Sequence, residues 1–327
     1  MALIAGCNSA NFPVYFENTT REPIEIEVLR AADTTIDLSI KKILIFIKPG
    51  VSSELYITEG KRNFPEGFNF KELPATEFYT MADHLSASPR FVVMEPSVSI
   101  KPPVDKSYTW DEIDSICTNA GVDGCLFLGK QVVLMGVTRD GQESEDGRGY
   151  ITILSTYEFY SPKEKIAFSK QVKTGVAFQS SDEEIRLHYE WASSLKSLVF
   201  DYASENGEKF AGWLAPVWEH DTRNYFLKGN AELESVKTLI ASEKWNEVYA
   251  IWKRNITNSN PSVAKHAMYN TIIGFEMEGK LDSALILTND AYTKFKSEEL
   301  VDYGLILQER IRETGLVKTQ LGLAEKE

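Results

Sequence analysis

The chain has 327 residues, about twice the length of an ordinary domain, and 43% of them are hydrophobic, so two packed units with ordinary cores are expected. Its 48 acidic and 35 basic residues leave a net charge of −13, which repels phosphate backbones and provides no counterion release, and this argues against a nucleic-acid partner. No run approaches the roughly 18 consecutive apolar residues that a spanning helix requires, so the chain is not expected to cross a bilayer.

At the start, Leu3-Ile4-Ala5-Gly6-Cys7 sets an aliphatic and two small residues ahead of a cysteine and resembles a bacterial lipobox. Small side chains there let the backbone enter a peptidase cleft, and the cysteine then carries acyl chains. Residues 1–22 are read as a truncated signal and lipobox with a linker, Cys7 as a lipidation site, and membrane attachment as a lipid anchor only.

Residues 23–212 read as an α/β domain with a mixed sheet. Ile24-Glu25-Ile26-Glu27-Val28 alternates as a half-buried strand does, and Ile43 to Ile47 is an unbroken apolar run ended by Pro49-Gly50, which predicts a central strand. Residues 51–74, rich in Gly, Pro, Asn and charge, predict a long loop. Phe78, Met81, Ala82 and Leu85 then recur at helical spacing over 75–87, and Phe91 to Met94 forms a short strand. Thr109-Trp110-Asp111-Glu112 is a capping box for a helix to about Ala120.

From Cys125 through Leu134 a strand is predicted, with a bend at Gly129; the helix-strand order up to this point favours a parallel, helix-covered sheet. Residues 150–160 and 166–178 predict an antiparallel hairpin added to it. Cys117 and Cys125 lie on either side of the helix-to-strand turn among apolar neighbours and read as buried small hydrophobes, with a disulfide left for geometry to decide. Ser181 to Glu184 caps a further helix with one apolar face to Tyr202, broken at Asn206-Gly207. Beyond that break the chain reads as wholly helical, with Trp213, Trp218, Tyr225 and Phe226 as an aromatic joint.

Residues 213–327 predict an all-α domain of tetratricopeptide-like hairpins. Trp245–Trp252 and Leu281–Ala291 are equivalent segments whose starts lie 36 residues apart, a period typical of helical solenoids. In the second copy Tyr269, Asn270, Gly279, Leu281, Ala284 and Ala291 match a tetratricopeptide repeat, with small residues permitting the turn and close helix approach. In the first copy Glu243 stands where the turn glycine is expected. The face presenting His266, Tyr269, Asn270, Ile273 and Glu276 is the candidate site for an extended peptide or helix.

Taken with Ile26 to Ala32, Pro216-Val217-Trp218, Arg223, Tyr225, Tyr269-Asn270, Glu276 and Gly279, the layout resembles a family of uncharacterised lipoproteins from Bacteroidetes, a domain of unknown function. Its α/β part is also similar in plan to the N-terminal domain of TolB and to curli-secretion lipoproteins. The resemblance implies a periplasm-facing or surface-tethered interaction protein and establishes no activity; the expected location is periplasm-facing and membrane-anchored, on the outer membrane rather than the inner.

Residue patterns that carry chemistry are sparse in the chain. Gly124 to Gln131 approaches a P-loop, but Cys125-Leu126-Phe127-Leu128 favours a strand and Gln131 replaces the magnesium-binding hydroxyl. His84, His188, His220 and His266 lack the close spacing of metal ligands, and Asp140 to Gly147 lacks the alternation of a calcium loop. No catalytic residue, metal or cofactor is therefore assigned. The expected function is a non-enzymatic envelope scaffold binding a protein or peptide; the alternative is an envelope hydrolase with an unrecognised site in the α/β domain.

Overall fold

A computed structural model describes residues 21–51, 53–57, 70–95, 108–139, 146–181 and 188–323. The fold is mixed α+β, with a mixed sheet and a C-terminal helical region. Two compact units are present: among the described residues, one comprises 21–28 and His220–Arg312, the other Leu29–Glu219 and 313–323. The sequence-derived division at 212/213 is corrected accordingly, because residues 23–28 belong with the helices and the stretch beyond Arg312 with the sheet.

In the α/β unit the strands are β2 (Lys42–Ile47), β3 (Ser53–Ile57), β4 (Val92–Met94), β5 (Gly124–Arg139), β6 (Asp146–Ser161) and β7 (Ile166–Ser181). They form a sheet ordered β4-β2-β5-β6-β7, and β3 also pairs with β5. β2, β3 and β4 run parallel to their partners, while β6 and β7 add the expected antiparallel hairpin. The register of β5 on β6 shifts between Leu128 and Lys130, so the predicted bend at Gly129 is a β-bulge. β3 was not expected: a strand occupies part of what reads in sequence as a loop.

Alternation along the strands sends successive residues to opposite faces. Ile43, Ile45, Leu126 and Leu128 pack under α1 (Leu73–Ala87) and α3 (His188–Leu214), whereas Leu44, Phe46, Cys125 and Phe127 pack under α2 (Trp110–Ala120). Both faces of these central strands are thus covered, which explains their continuous apolar runs. The α2 capping box forms as predicted: Glu112 N donates to Thr109 Oγ1 at 3.3 Å, and Thr109 N donates to Glu112 Oε2 at 2.8 Å.

The predicted break at Asn206-Gly207 does not occur, and α3 continues to Leu214. Gly207 serves close packing instead: a Cβ there would lie 2.4 Å from the Glu77 carbonyl oxygen on α1. Asn206 is buried and donates to Ile153 O at 3.3 Å and to Ser155 Oγ at 3.2 Å.

The helical unit contains α4 (Ala231–Ala241), α5 (Trp245–Asn255), α6 (Pro261–Met277), α7 (Leu281–Phe295) and the first part of α8 (Glu298–Gln320), with α4 to α7 each packed on the next. It also contains most of β1 (Arg21–Arg30) and of β8 (Val217–Phe226), which pair as a two-stranded sheet. A strand at 217–226 corrects the expectation of helix throughout this region. The aromatic joint is likewise corrected: Trp213 packs on Phe168 and Phe210, Tyr225 and Phe226 enter the helical core, and Trp218 is exposed. Among the described residues no helix is long and apolar enough to cross a membrane.

The turns that lead into α5 and α7 share a backbone conformation. Glu243 and Gly279 take left-handed φ values of 56° and 70°, and each is followed by a lysine, Lys244 or Lys280, that precedes a helix from a similar conformation. Asn260 caps α6, accepting from Ser262 N at 3.0 Å, with Pro261 as its first residue.

Candidate functional site

The expected binding face on α6 is not open. His266, Tyr269, Asn270, Ile273 and Glu276 are all buried, so the expectation of a surface free to receive a peptide is corrected. The physical reason is that the polar groups of this face are occupied by β8 and α8.

Asn270 is fully buried and uses both ends of its amide: Phe226 N donates to Oδ1 at 2.7 Å, and Nδ2 donates to Phe226 O at 2.7 Å. A side chain thus acts as a strand partner for the end of β8. The His266 ring stacks on Phe226 at 4.0 Å, and its Nδ1 lies 2.6 Å from Lys228 O. A carbonyl only accepts, so Nδ1 carries the proton. Burial lowers the affinity of this imidazole for a second proton. Tyr269 meets both Phe226 and Tyr303 edge-on.

One turn of helix further, Glu276 is the centre of a charged cluster. Its side chain has no exposed surface, and it receives Arg223 Nε at 3.1 Å and Nη2 at 2.8 Å, Arg310 Nη1 at 2.9 Å and Tyr303 OH at 2.5 Å. Arg223 is also paired with Asp221 at 3.1 Å. Burial disfavours the Arg223 charge, but Glu276 more than offsets this and holds the guanidinium firmly protonated. The bidentate Arg223 contact fixes geometry as well as charge. An ion cluster with its lone pairs and donors mutually engaged is a structural tie and leaves no unpaired carboxylate for acid-base chemistry.

A second buried carboxyl, missed in the sequence, lies in the α/β unit. Glu77 on α1 has no exposure; Ser155 Oγ donates to it at 2.6 Å, Tyr157 OH at 2.5 Å, and Gln131 Nε2 also donates. Burial pushes this carboxyl above the ordinary range, although all three hydrogen bonds favour its charged form. Among the described residues no cation pairs with it, so these three donors alone oppose the cost of burying it between helix and sheet. The sequence signal was faint: a Glu beside Phe78 on the apolar face of its helix.

Among the described residues no group of three or more His, Cys, Asp and Glu is placed to hold a metal ion. Cys7, residues 140–145 of the loop considered for calcium, and the side chain of His188 lie outside the described residues. The outer surfaces of α7 and α8 differ from the filled face of α6. Ile286 is 64% exposed, Leu305 59% and Val301 45%, and Val301 and Leu305 lie one turn apart on α8.

Residues 53–226, just over half of the chain, match the model described as domain of unknown function DUF8603. The chain belongs to the DUF8603 family. A second model, domain of unknown function DUF6340, matches residues 234–310, which span α4 to α7 and much of α8. Besides its DUF8603 segment, then, the chain carries a second region of unknown function. No curated protein matches it.

Among solved structures, the hypothetical protein CT253 from Chlamydia trachomatis is 9% identical, covering 53% of this chain and 97% of its own, with a TM-score of 0.29. The PelC dodecamer from Paraburkholderia phytofirmans is 11% identical over 57% of this chain and 97% of that one, with a TM-score of 0.22. A putative neuraminyllactose-binding hemagglutinin homolog from Helicobacter pylori is 10% identical over 56% and 94%, with a TM-score of 0.23. At TM-scores this low the three carry no argument about fold or function.

Proposed function

We propose that the chain is a non-enzymatic bacterial cell-envelope lipoprotein, of the kind found in Bacteroidetes, whose helical unit is a tetratricopeptide-like scaffold for a protein or peptide partner. It faces the periplasm and is held to a membrane, the outer rather than the inner, by acyl chains on Cys7. The anchor is supported by the Leu3 to Cys7 pattern. The repeat character is supported by the matched left-handed turns at Glu243 and Gly279.

The observation that carries the binding role is the contrast within the helical unit. Polar side chains on α6 are engaged internally, while large apolar side chains on α7 and α8, Ile286, Val301 and Leu305 among them, face solvent. Apolar surface left outside a packed unit is what a partner protein covers. Full-length protein used as bait on detergent-solubilised envelope fractions is expected to retain a small set of proteins that a Val301→Asp, Leu305→Asp double variant loses. Retention of the same set by the variant would contradict this reading. Labelled fatty acid is expected on the wild-type protein and not on Cys7→Ser.

A further inference from the structure

Cys117 stands in the last turn of α2 and Cys125 is the second residue of β5, the strand at the centre of the sheet. Between them the chain turns sharply: Gly121 is left-handed, and Val122 N donates back to Cys117 O at 3.0 Å. Both side chains are buried in the core under α2, and their sulfur atoms lie 3.2 Å apart. That is closer than the roughly 3.5–4.0 Å at which non-bonded heavy atoms rest, and about 1.2 Å more than a disulfide bond. The two sulfurs thus face each other directly across the helix-to-strand turn.

We propose that Cys117 and Cys125 are a disulfide-forming pair that fastens the end of α2 to the start of β5. The oxidant is a small-molecule or protein disulfide. One cysteine thiolate attacks it, forms a mixed disulfide and displaces a thiolate. The second cysteine thiolate then attacks its partner's sulfur and displaces the other, so the two thiols lose two protons and two electrons and the oxidant leaves as two thiols. Because both sulfurs are buried in the fold, exchange takes place as α2 docks during folding. The supply of oxidant rests on the envelope location proposed above, whereas the capacity of the pair to close is a property of the chain alone and is tested in vitro.

The test uses the full-length chain, refolded with oxidised and reduced glutathione and then alkylated without reductant. Both cysteines fall in one tryptic peptide, residues 107–130, since no Lys or Arg lies between Lys106 and Lys130. That peptide is expected to resist alkylation and to weigh two hydrogens less than the dithiol. Reduction should lower the melting temperature by about 5 °C or more, as expected for release of a short closed loop, and a Cys117→Ser, Cys125→Ser variant should not respond to reductant. Alkylation of both thiols in natively folded protein, or recovery of either cysteine only as a glutathione adduct or joined to Cys7, would overturn the proposal.

Discussion

Glu243 holds the same left-handed backbone as Gly279, 36 residues further along, although only glycine adopts it without strain. Each residue turns the chain into the second helix of a hairpin, α5 or α7. The two turns thus share a conformation with different residues, and the one at Glu243 bears a steric cost that the one at Gly279 avoids.

Replacing Glu243 with Gly should therefore raise the stability of the helical unit by up to about 1 kcal/mol, while Gly279→Ala should lower it by about the same amount. Urea midpoints of the two variants check this directly. Equal and opposite shifts are expected, and destabilisation by Glu243→Gly would mean that its side chain makes a contact worth more than the strain.

The Glu276 cluster should behave as a structural tie. Glu276→Ala leaves the half-buried Arg223 and Arg310 without their shared carboxylate and should cost about 3 kcal/mol, whereas Tyr303→Phe removes one hydrogen bond to a charged group and should cost about 1.5–3 kcal/mol. Chemical denaturation measures both. A Glu276→Ala protein with wild-type stability would return this face to the list of binding surfaces.

Glu77 makes a prediction in pH. A carboxyl whose folded-state pKa lies above its unfolded value binds its proton more tightly in the fold, so its contribution is complete below the unfolded value and is lost as pH rises towards the folded one. Stability should fall with pH above about 4.5, by at most about 1.4 kcal/mol per unit from this group. His266, whose protonation is disfavoured by burial, acts in the opposite sense and weakens the fold as pH drops below about 6.5. Subtracting the denaturation profile of Glu77→Gln from that of the wild type isolates the Glu77 slope, and a flat difference would show that the carboxyl is charged in the fold.

Much of the sheet was legible in the sequence because its central strands are apolar on both faces and its helices carry explicit start signals, Thr109 and Glu112 above all. β8 was not legible. Val217, Tyr225 and Phe226 are its buried residues, at the two ends, while Trp218, Glu219 and His220 between them are exposed, so no period-two alternation marks it. Gly207 was misread because a glycine that permits close helix contact looks in sequence like one that ends a helix.

The α6 face shows the same limit. His266, Asn270 and Glu276 look solvent-facing on a helix, and nothing near them in the chain reveals partners as distant as Phe226, Arg223 and Arg310. Burial of polar side chains is decided by such long-range pairing, which local spacing does not encode.

The most direct test of a partner-binding helical unit is a photo-crosslinking residue placed at Leu305, with Glu234, an exposed position on α4, as the control, followed by irradiation of envelope preparations. Position 305 is expected to give a discrete adduct with an envelope protein, and position 234 none. Absence of an adduct at 305, or the same adducts from both positions, would contradict the assignment of the α8 surface to a specific partner.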